Sequence, residues 1–190
     1  MLGDRWYAFG RTQNLALNGI PKIITGVLAD KSRFTYDKDG SMYFMGGGNA
    51  GGYGIILKSN TQEHYLYILG LLNSTFLEYY LHQISSQFRG GFFSYARRYI
   101  EKLPIYRINF NNQTQKAYHD KMVALVTKVL ELNKQLQSIL DYEIDKKQQL
   151  EKEIKATDEK IDNLVYDLYG ITEEERKIVE GQTGNNSSKV

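Results

Sequence analysis

Residues 65–84 read YLYILGLLNSTFLEYYLHQI, and their apolar side chains recur three and four positions apart. This spacing places them on one face of a helix, because a half-buried strand would instead alternate every second residue. We predict one long amphipathic helix over residues 61–84, with Asn60 and Glu63 forming a capping box at its start. On either side of this helix, the spacing of the apolar residues changes.

The segments before the helix read as short strands and turns. Residues 23–28 are rich in β-branched and aliphatic side chains. Residues 33–36 and 41–45 flank the turn DKDG at residues 37–40, and Asp-Gly between two extended runs is typical of a hairpin.

A glycine cluster occupies residues 46–54, and a buried-looking strand follows at residues 53–57. The cluster lacks the Gly-Lys-Ser/Thr ending of a phosphate-binding loop, and no helix follows it to receive a phosphate. We therefore expect a tightly turned loop whose backbone could approach a ligand closely. After the long helix, residues 88–110 return to loop and strand.

Two further helices are predicted near the C-terminus, over residues 114–140 and 145–169. A change in the phase of their apolar seams favours a chain reversal near residues 141–145, which would make an antiparallel hairpin; a bent continuous helix is the alternative. The two seams consist of the following apolar residues: Met122, Leu125, Val129, Leu132, Leu136 and Ile139, and then Leu150, Ile154, Ile161, Leu164, Val165 and Leu168.

Gly170 is placed to end the third helix, and Thr172 followed by three glutamates is placed to begin a short last one. The predicted fold class is α+β: a mixed or antiparallel small-strand domain with one long helix, then an antiparallel helical hairpin resembling a coiled coil. We divide the chain into an α/β domain at residues 1–110, the helical hairpin and short helix at 111–180, and a disordered polar tail at 181–190.

Composition limits the function classes. The chain is 42% hydrophobic and 24% charged, as a globular protein is, and it contains no Cys, which excludes disulfides and thiolate metal sites. No apolar run approaches the roughly 18 residues of a membrane span, and the start does not resemble a signal peptide, so we expect a cytoplasmic protein. Residues 1–110 carry 12 Lys and Arg against 7 Asp and Glu, which hints that this part faces a polyanion.

We find no catalytic constellation. The three histidines, His64, His82 and His119, are too far apart in predicted helices for a metal pair, and no nucleophile elbow or Ser-His-acid set is present. We expect no metal and no cofactor in this chain.

Residues 88–102 stand out because cations and aromatic rings alternate with glycines there. Basic side chains can bind phosphate oxygens or form bidentate hydrogen bonds with guanine. Aromatic residues and glycines can shape a loop that fits a groove of DNA. An ordinary loop and strand whose aromatics fill the core is an equal alternative on spacing alone.

Several stretches, taken in order, resemble the TaqI-like C-terminal specificity domain, which ends adenine-specific DNA methyltransferases and fused type IIG restriction–modification enzymes. They lie at residues 6–15, 21–24, 46–56, 69–74 (LGLLNS), 93–105 (FSY to EKLPI) and 161–175 (IDNLVYDLYGITEEE). Specificity subunits of type I enzymes have a similar layout of an α/β reading domain and a helical spacer.

The resemblance implies that the chain recognises double-stranded DNA for a larger enzyme. In that family the catalytic machinery lies upstream, with an Asn-Pro-Pro-Tyr/Phe motif for adenine and a glycine-rich loop for S-adenosylmethionine. Neither motif occurs here, and the prolines, Pro21 and Pro104, are not adjacent. The chain therefore looks like a non-catalytic C-terminal portion whose partners are DNA and upstream methyltransferase or nuclease domains, with S-adenosylmethionine and Mg²⁺ belonging to the parent.

The family supplies no universal base-contacting residues, so the predicted site rests on residue type. Candidate phosphate or guanine contacts are Lys22, Arg33, Arg89, Arg97, Arg98 and Lys102, candidate base-edge or positioning groups are Gln13, Asn49 and Tyr95, and the glycines that could let a loop enter a groove are Gly47, Gly48, Gly51 and Gly52. The alternative function is a protein-interaction module whose helical seams pair with another chain.

Overall fold

A computed structural model of the chain describes residue 17 and residues 19–43, 51–140 and 142–184. Six short strands belong to the first part of the chain: β1 (Lys22–Gly26), β2 (Leu28–Ala29), β3 (Thr35–Asp37), β4 (Gly52–Ile55), β5 (Gln87–Phe88) and β6 (Phe92–Ser94). Six helices complete the described part: α1 (Tyr65–Leu72), α2 (Thr75–Ile84), α3 (Arg97–Ile100), α4 (Gln113–Ser138), α5 (Ile144–Tyr169) and α6 (Glu173–Gly184).

The strands form two small antiparallel sheets, with orders β3-β1-β4 and β2-β6-β5. Strands β1 and β2 are nearly continuous in sequence, so the chain passes from one sheet to the other at Val27. There the backbone N–H of Val27 donates to Gly51 and its carbonyl accepts from Tyr95. Together with the helices, these sheets confirm the predicted α+β class.

The predicted hairpin around residues 37–40 is only partly what the structure contains. Strand β3 pairs with β1 instead, through Ile23 opposite Tyr36. Residues 41–43 are not in a strand, and the rest of the predicted partner lies outside the described residues. The turn itself exists because the Asp37 carboxylate accepts hydrogen bonds from the backbone N–H groups of Ser41 and Met42.

The single long helix predicted over residues 61–84 was wrong, because the chain breaks it into α1 and α2 at Asn73 and Ser74. Ser74 has an extended backbone, and its hydroxyl accepts from the N–H of Leu77 at 3.3 Å, so it caps α2. Polar residues that bond neighbouring backbone groups favour helix caps over helix interiors, and this competition outweighs the continuous apolar period.

The break connects α1 and α2 to two distant parts of the chain. The Asn73 side-chain amide pairs with the backbone of Phe34, accepting from its N–H and donating to its carbonyl, both at 2.9 Å. Next to it, Asp162 of α5 accepts from the N–H and the hydroxyl of Thr75 at 2.8 and 2.6 Å. Three consecutive residues thus position a loop from the strand region and the last long helix.

Helices α4 and α5 form the predicted antiparallel hairpin, and the bent-helix alternative is wrong. Lys128 and Glu153 form an ion pair across them at 2.6 Å. The buried face of α4 is broader than the predicted seam: Met122 and Leu132 are buried as expected, but Val126 is buried as well. The reason is that α4 packs against α1 as well as α5.

Gly70 makes the close approach of α1 to α4 possible. A Cβ atom at this position would lie 2.5 Å from the Met122 sulfur and 2.9 Å from a methyl carbon of Val126. Residues of the strand region, of α1 and α2, and of the helical hairpin therefore share one hydrophobic core, which includes Ile23 and Leu164.

The C-terminal elements follow the predicted signals. Gly170 ends α5 in the left-handed conformation with φ of 66°, and the Thr172 hydroxyl accepts from the N–H of Glu175. Helix α6 continues to Gly184, into the segment predicted as a tail; residues 185–190 lie outside the described residues. Across the described part of the chain, none of the helices is both long and apolar enough to cross a membrane.

Glu63 does not form the predicted capping box with Asn60, because His64 caps α1 instead. The Glu63 carboxylate is buried and accepts from the Arg107 guanidinium at 2.6 and 3.3 Å and from the N–H of Ile108 at 3.2 Å. Burial raises the pKa of Glu63, but these hydrogen bonds and the positive charge of Arg107 outweigh it and leave the pKa below its ordinary value.

Replacing Asn73 with alanine should destabilise the fold by about 1–3 kcal/mol, because both backbone groups of Phe34 lose their partner. The free energy of unfolding in urea measures this. Asn60→Ala is the control: Asn60 lies exposed in a turn, and its loss should stay within about 0.5 kcal/mol. Equal losses for the two variants would contradict a structural role for Asn73.

Replacing Arg107 with alanine should cost about 1–3 kcal/mol at pH 7, because the buried Glu63 carboxylate loses its charged partner. A lowered folded-state pKa means that Glu63 stabilises the protein above its unfolded pKa, and that this contribution is lost as the pH falls through the folded pKa. In the variant, burial without Arg107 should favour the protonated acid. The difference between the two proteins should therefore shrink from pH 7 to pH 4.

Urea unfolding at both pH values measures that difference. Arg33→Ala is the matched control, since Arg33 and its partner Asp30 are both largely exposed, and such pairs contribute little. A loss for Arg107→Ala that is the same at pH 4 and pH 7 would contradict the role assigned to the Glu63 charge.

Candidate functional site

Strands β5 and β6 form a short hairpin that projects Arg89, Gly90 and Gly91 at its turn. Gly90 and Gly91 have φ of 87° and 78°, a region that residues with a Cβ atom avoid. The turn therefore depends on this glycine pair. At the other end of the hairpin, Ser85 donates to the carbonyl of Ser94 at 2.6 Å and closes its base.

The two faces of the hairpin differ in their surroundings. Phe93 points to the interior, where its ring stacks on His82 at 3.7 Å between centroids. Burial lowers the pKa of His82 to about 4, so that ring is neutral at pH 7 and adds no charge to the region. Phe88 and Phe92 lie directly opposite each other in the register and are 41% and 43% exposed.

Helix α3 begins three residues after the end of β6 and carries the next cations. The side chain of Arg97 is 83% exposed, and its Nε lies 3.3 Å from Glu101 one turn later, where solvent weakens the pair. Arg98 is exposed and lies over the ring of Tyr99, 4.9 Å from its centroid. Lys102 follows the helix and is exposed as well.

Tyr99 ties α3 to the hairpin. Its hydroxyl lies 2.6 Å from that of Ser86, immediately before β5. The hydrogen bond with Ser86 lowers the pKa of the Tyr99 phenol, and the Arg98 guanidinium lowers it further. We call the exposed side chains of these two elements the hairpin–helix surface: Phe88, Arg89, Phe92, Arg97, Arg98 and Lys102.

The hairpin–helix surface has the chemistry of a polyanion-binding face. Residues 86–102 contain four cationic side chains and one carboxylate, that of Glu101. Arginine offers a planar fork of donors that matches two acceptors at once, on a phosphate or on the edge of guanine. A two-stranded ribbon is also one of the two shapes that the major groove of DNA admits.

Lys22 was predicted to contact DNA, but it is only 1% exposed. Its ammonium group lies 2.5 Å from the buried carboxylate of Asp37, which also holds the turn at residues 41–42. Lys22 and its neighbour Ile23 point to opposite faces of the central strand β1 and are both buried, so the protein covers both faces of the strand at this end. Lys22 therefore stabilises the fold and cannot reach a ligand in this conformation.

Tyr95 was predicted to position a base, but its side chain is fully buried. Its ring packs edge-on against Phe34 with centroids 5.8 Å apart, and its hydroxyl lies 3.4 Å from both Ser32 and His82. Burial raises the pKa of the Tyr95 phenol. Tyr95 is a core residue that anchors the chain between β6 and α3.

The remaining predicted residues fall into three groups. Arg33 is exposed, but both of its contacts to Asp30, at 2.9 and 3.0 Å, are local. Gly51 and Gly52 were predicted to let a loop enter a groove, but Gly52 pairs with Gly26 in β4 and the carbonyl of Gly51 accepts from Val27. Four other predicted residues lie outside the described residues, namely Gln13, Gly47, Gly48 and Asn49.

Neither Phe88 nor Phe92 was among the predicted site residues. A signal was present in the sequence, since Phe88 and Phe92 flank Arg-Gly-Gly symmetrically and would face each other in a hairpin closed there. The run FRGGFF does not show which phenylalanine points outwards. In the described part of the chain, no three His, Asp or Glu side chains come together to hold a metal ion.

Comparison with protein families finds one match over much of the chain. The model of the TaqI-like C-terminal specificity domain matches residues 4–105, which end before α4. This range contains both sheets, α1 to α3 and the whole hairpin–helix surface. The motif at residues 161–175, included in the resemblance above, lies beyond it.

A curated relative agrees with this match. The type II restriction enzyme and methyltransferase RM.Eco57I of Escherichia coli is 31% identical over 119 residues. The alignment covers 62% of this chain and 12% of the relative, so the chain corresponds to a small part of that protein.

Gly91→Ala should destabilise the hairpin by about 1–2 kcal/mol, because alanine is strained at positive φ. Gly181→Ala in α6 is the matched control, since at both positions an added Cβ would have no atom within 4 Å. In a helix the same change should stabilise by about 0.5–1 kcal/mol. Urea unfolding and amide hydrogen exchange over residues 87–94 measure the two effects. Stabilisation by both variants would contradict the strained turn.

Proposed function

The chain belongs to the family of TaqI-like C-terminal specificity domains, and from this premise we infer that it recognises a base sequence in double-stranded DNA on behalf of a restriction–modification enzyme. The observation that supports this most is the hairpin–helix surface, in which Arg89, Arg97, Arg98 and Lys102 are exposed, as are the aromatic partners Phe88 and Phe92. Exposed cations of this kind form only weak interactions within their own protein, so they are available to bind an external anion.

The surface can serve both parts of DNA recognition. Lysine and arginine contacts to phosphates fix the position of a protein on the duplex, while contacts to base edges carry the sequence information. Arg89 lies at the tip of the ribbon and is the best placed to enter a groove. Helix α3 is joined to the base of this ribbon through Tyr99 and Ser86, and we propose that Arg97, Arg98 and Lys102 contact the phosphate backbone. Arg33, held by Asp30, is a secondary candidate, and Asn49 stays a prediction.

Catalysis belongs, in this proposal, to a longer enzyme. The alignment to RM.Eco57I covers 12% of that relative, whose name includes both restriction and methyltransferase activities. We propose that the parent is an adenine-specific methyltransferase that uses S-adenosylmethionine and is fused to a nuclease that uses Mg²⁺. Access to cellular DNA would place it in the cytoplasm.

The part after residue 110 would attach the DNA-reading part to that enzyme. Exposed apolar side chains gather at the tip of the helical hairpin, where Leu140, Tyr142 and Ile144 are 54%, 78% and 60% exposed. Pairing of its seams with another chain, the alternative function, has less support because Met122, Leu132 and Leu164 are buried within this chain. Analytical ultracentrifugation separates the two, since seam pairing requires a dimer.

The test of the proposed function is a fluorescence-anisotropy titration with a pool of random duplexes at 50 and 200 mM salt. Affinity should fall with salt in proportion to the number of phosphates contacted. The double variant Arg97→Ala, Arg98→Ala should lose about 1–3 kcal/mol of binding free energy if one arginine forks onto guanine. If both contact phosphates, the salt slope should fall by about 0.9 for each.

The matched control is Lys134→Ala, Lys152→Ala, which removes the same charge from exposed positions on the helical hairpin. This variant should bind as the wild type does. If both double variants bind DNA equally weakly, the loss of affinity comes from the change in net charge alone, and Arg97 and Arg98 are not part of the site. Absence of salt-sensitive binding by the wild-type chain would overturn the proposed function.

A further inference from the structure

We propose that Phe88 and Phe92 form an apolar reading face that contacts thymine methyl groups in the major groove. This inference rests on the proposed function and goes further, because it assigns base discrimination to two residues with no charge. It also assigns a kind of base, since thymine is the one base with a methyl group on its major-groove edge.

The register of the hairpin establishes the face. Phe88 and Phe92 are direct partners in an antiparallel pair, so their side chains lie on the same side of the ribbon. The neighbouring pair, Gln87 and Phe93, points the other way, and Phe93 is 6% exposed in the core. The two outward rings are 41% and 43% exposed, so the described protein covers them only in part.

The dimensions favour the major groove. Direct partners in an antiparallel pair have Cβ atoms about 5 Å apart, and the two rings extend the face beyond that width. The minor groove is roughly 6 Å wide and the major groove about 12 Å, so a ribbon bearing two phenyl rings fits the major groove alone. A Cβ atom at Gly91 would have no atom within 4 Å, so the backbone there is open to approach the bases, whereas the Phe92 ring lies beside Gly90.

Arg89 completes the reading face. It lies between the two phenylalanines in the turn, is exposed, and has no acidic residue beside it in the sequence. An arginine fork prefers guanine, whereas an aliphatic or aromatic surface prefers the thymine methyl. Side by side, these groups predict a preferred site that contains guanine next to thymine.

The experiment selects the preferred duplex from the random pool with the 190-residue chain and then replaces each of its thymines with uracil. Uracil keeps every hydrogen-bonding group and lacks only the methyl. Burial of one methyl group is worth about a threefold to fourfold change in affinity, so each contacted thymine should weaken binding by that factor. In Phe88→Ala, Phe92→Ala the ratio of thymine to uracil affinity should fall to near one.

Two variants and one control keep the result interpretable. Phe88→Gln, Phe92→Gln keeps long side chains on the strands and should give the same ratio near one if the hairpin persists, which amide exchange of residues 87–94 verifies. Tyr43→Ala removes a 71% exposed aromatic ring outside the hairpin–helix surface and should keep the wild-type ratio.

The outcomes separate this inference from the proposed function. Three results would overturn the reading face: a preferred site without thymine, a thymine-to-uracil affinity ratio of one in the wild type, or the same ratio in the wild type and both phenylalanine variants. If binding is still salt-sensitive in those cases, the proposed function remains supported. Loss of all salt-sensitive binding by the wild-type chain would overturn the proposed function itself.

Discussion

The polar junction at residues 73–75 is the constraint on which the rest of the architecture depends. Asn73 pairs with both backbone groups of Phe34, Ser74 caps α2, and Thr75 donates twice to Asp162. Helices α1 and α2 could otherwise continue as one rod, since their apolar period is unbroken. The junction turns the chain and joins the strand region to α5. A buried polar group is costly when unpaired, so each of these bonds also excludes alternative arrangements of the same segments.

The junction also determines where the hairpin–helix surface lies. The loop that Asn73 holds carries Phe34, whose ring packs on Tyr95, and the N–H of Tyr95 donates to Val27 at 2.7 Å. Tyr95 therefore fixes the chain between β6 and α3 from inside, while Phe92 before it and Arg97 after it are exposed. The surface consists of short elements, but the rigid interior beneath it orients them. Preorganisation of this kind reduces the ordering cost that a binding face would otherwise meet.

The periodic patterns of apolar residues predicted most of this fold. The features that they did not predict depend on polar contacts between residues that are distant in sequence. The antiparallel pair of α4 and α5 and the glycine stop at Gly170 follow from apolar spacing and local backbone preference. The break at Asn73, the burial of Lys22 and the partner of Glu63 depend on Phe34, Asp37 and Arg107, which are distant in sequence. For the site, residue type found Arg89, Arg97, Arg98 and Lys102 as exposed cations. It could not separate the buried Tyr95 and Phe93 from the exposed Phe92, because facing is set by strand register.

The glycine turn of the hairpin has a consequence for how such a domain could acquire new preferences. Gly90 and Gly91 satisfy the backbone without side chains, and the outward residues around them make no contribution to the shared core. Substitutions of those outward residues should therefore change the affinity for DNA and leave the stability of the fold nearly unchanged. A lineage could exchange the ribbon's outer residues and drift from one target to another without passing through unfolded intermediates. In evolutionary terms, variation should concentrate at the outer positions of the hairpin, while Phe93 on its inner side stays constrained by the core.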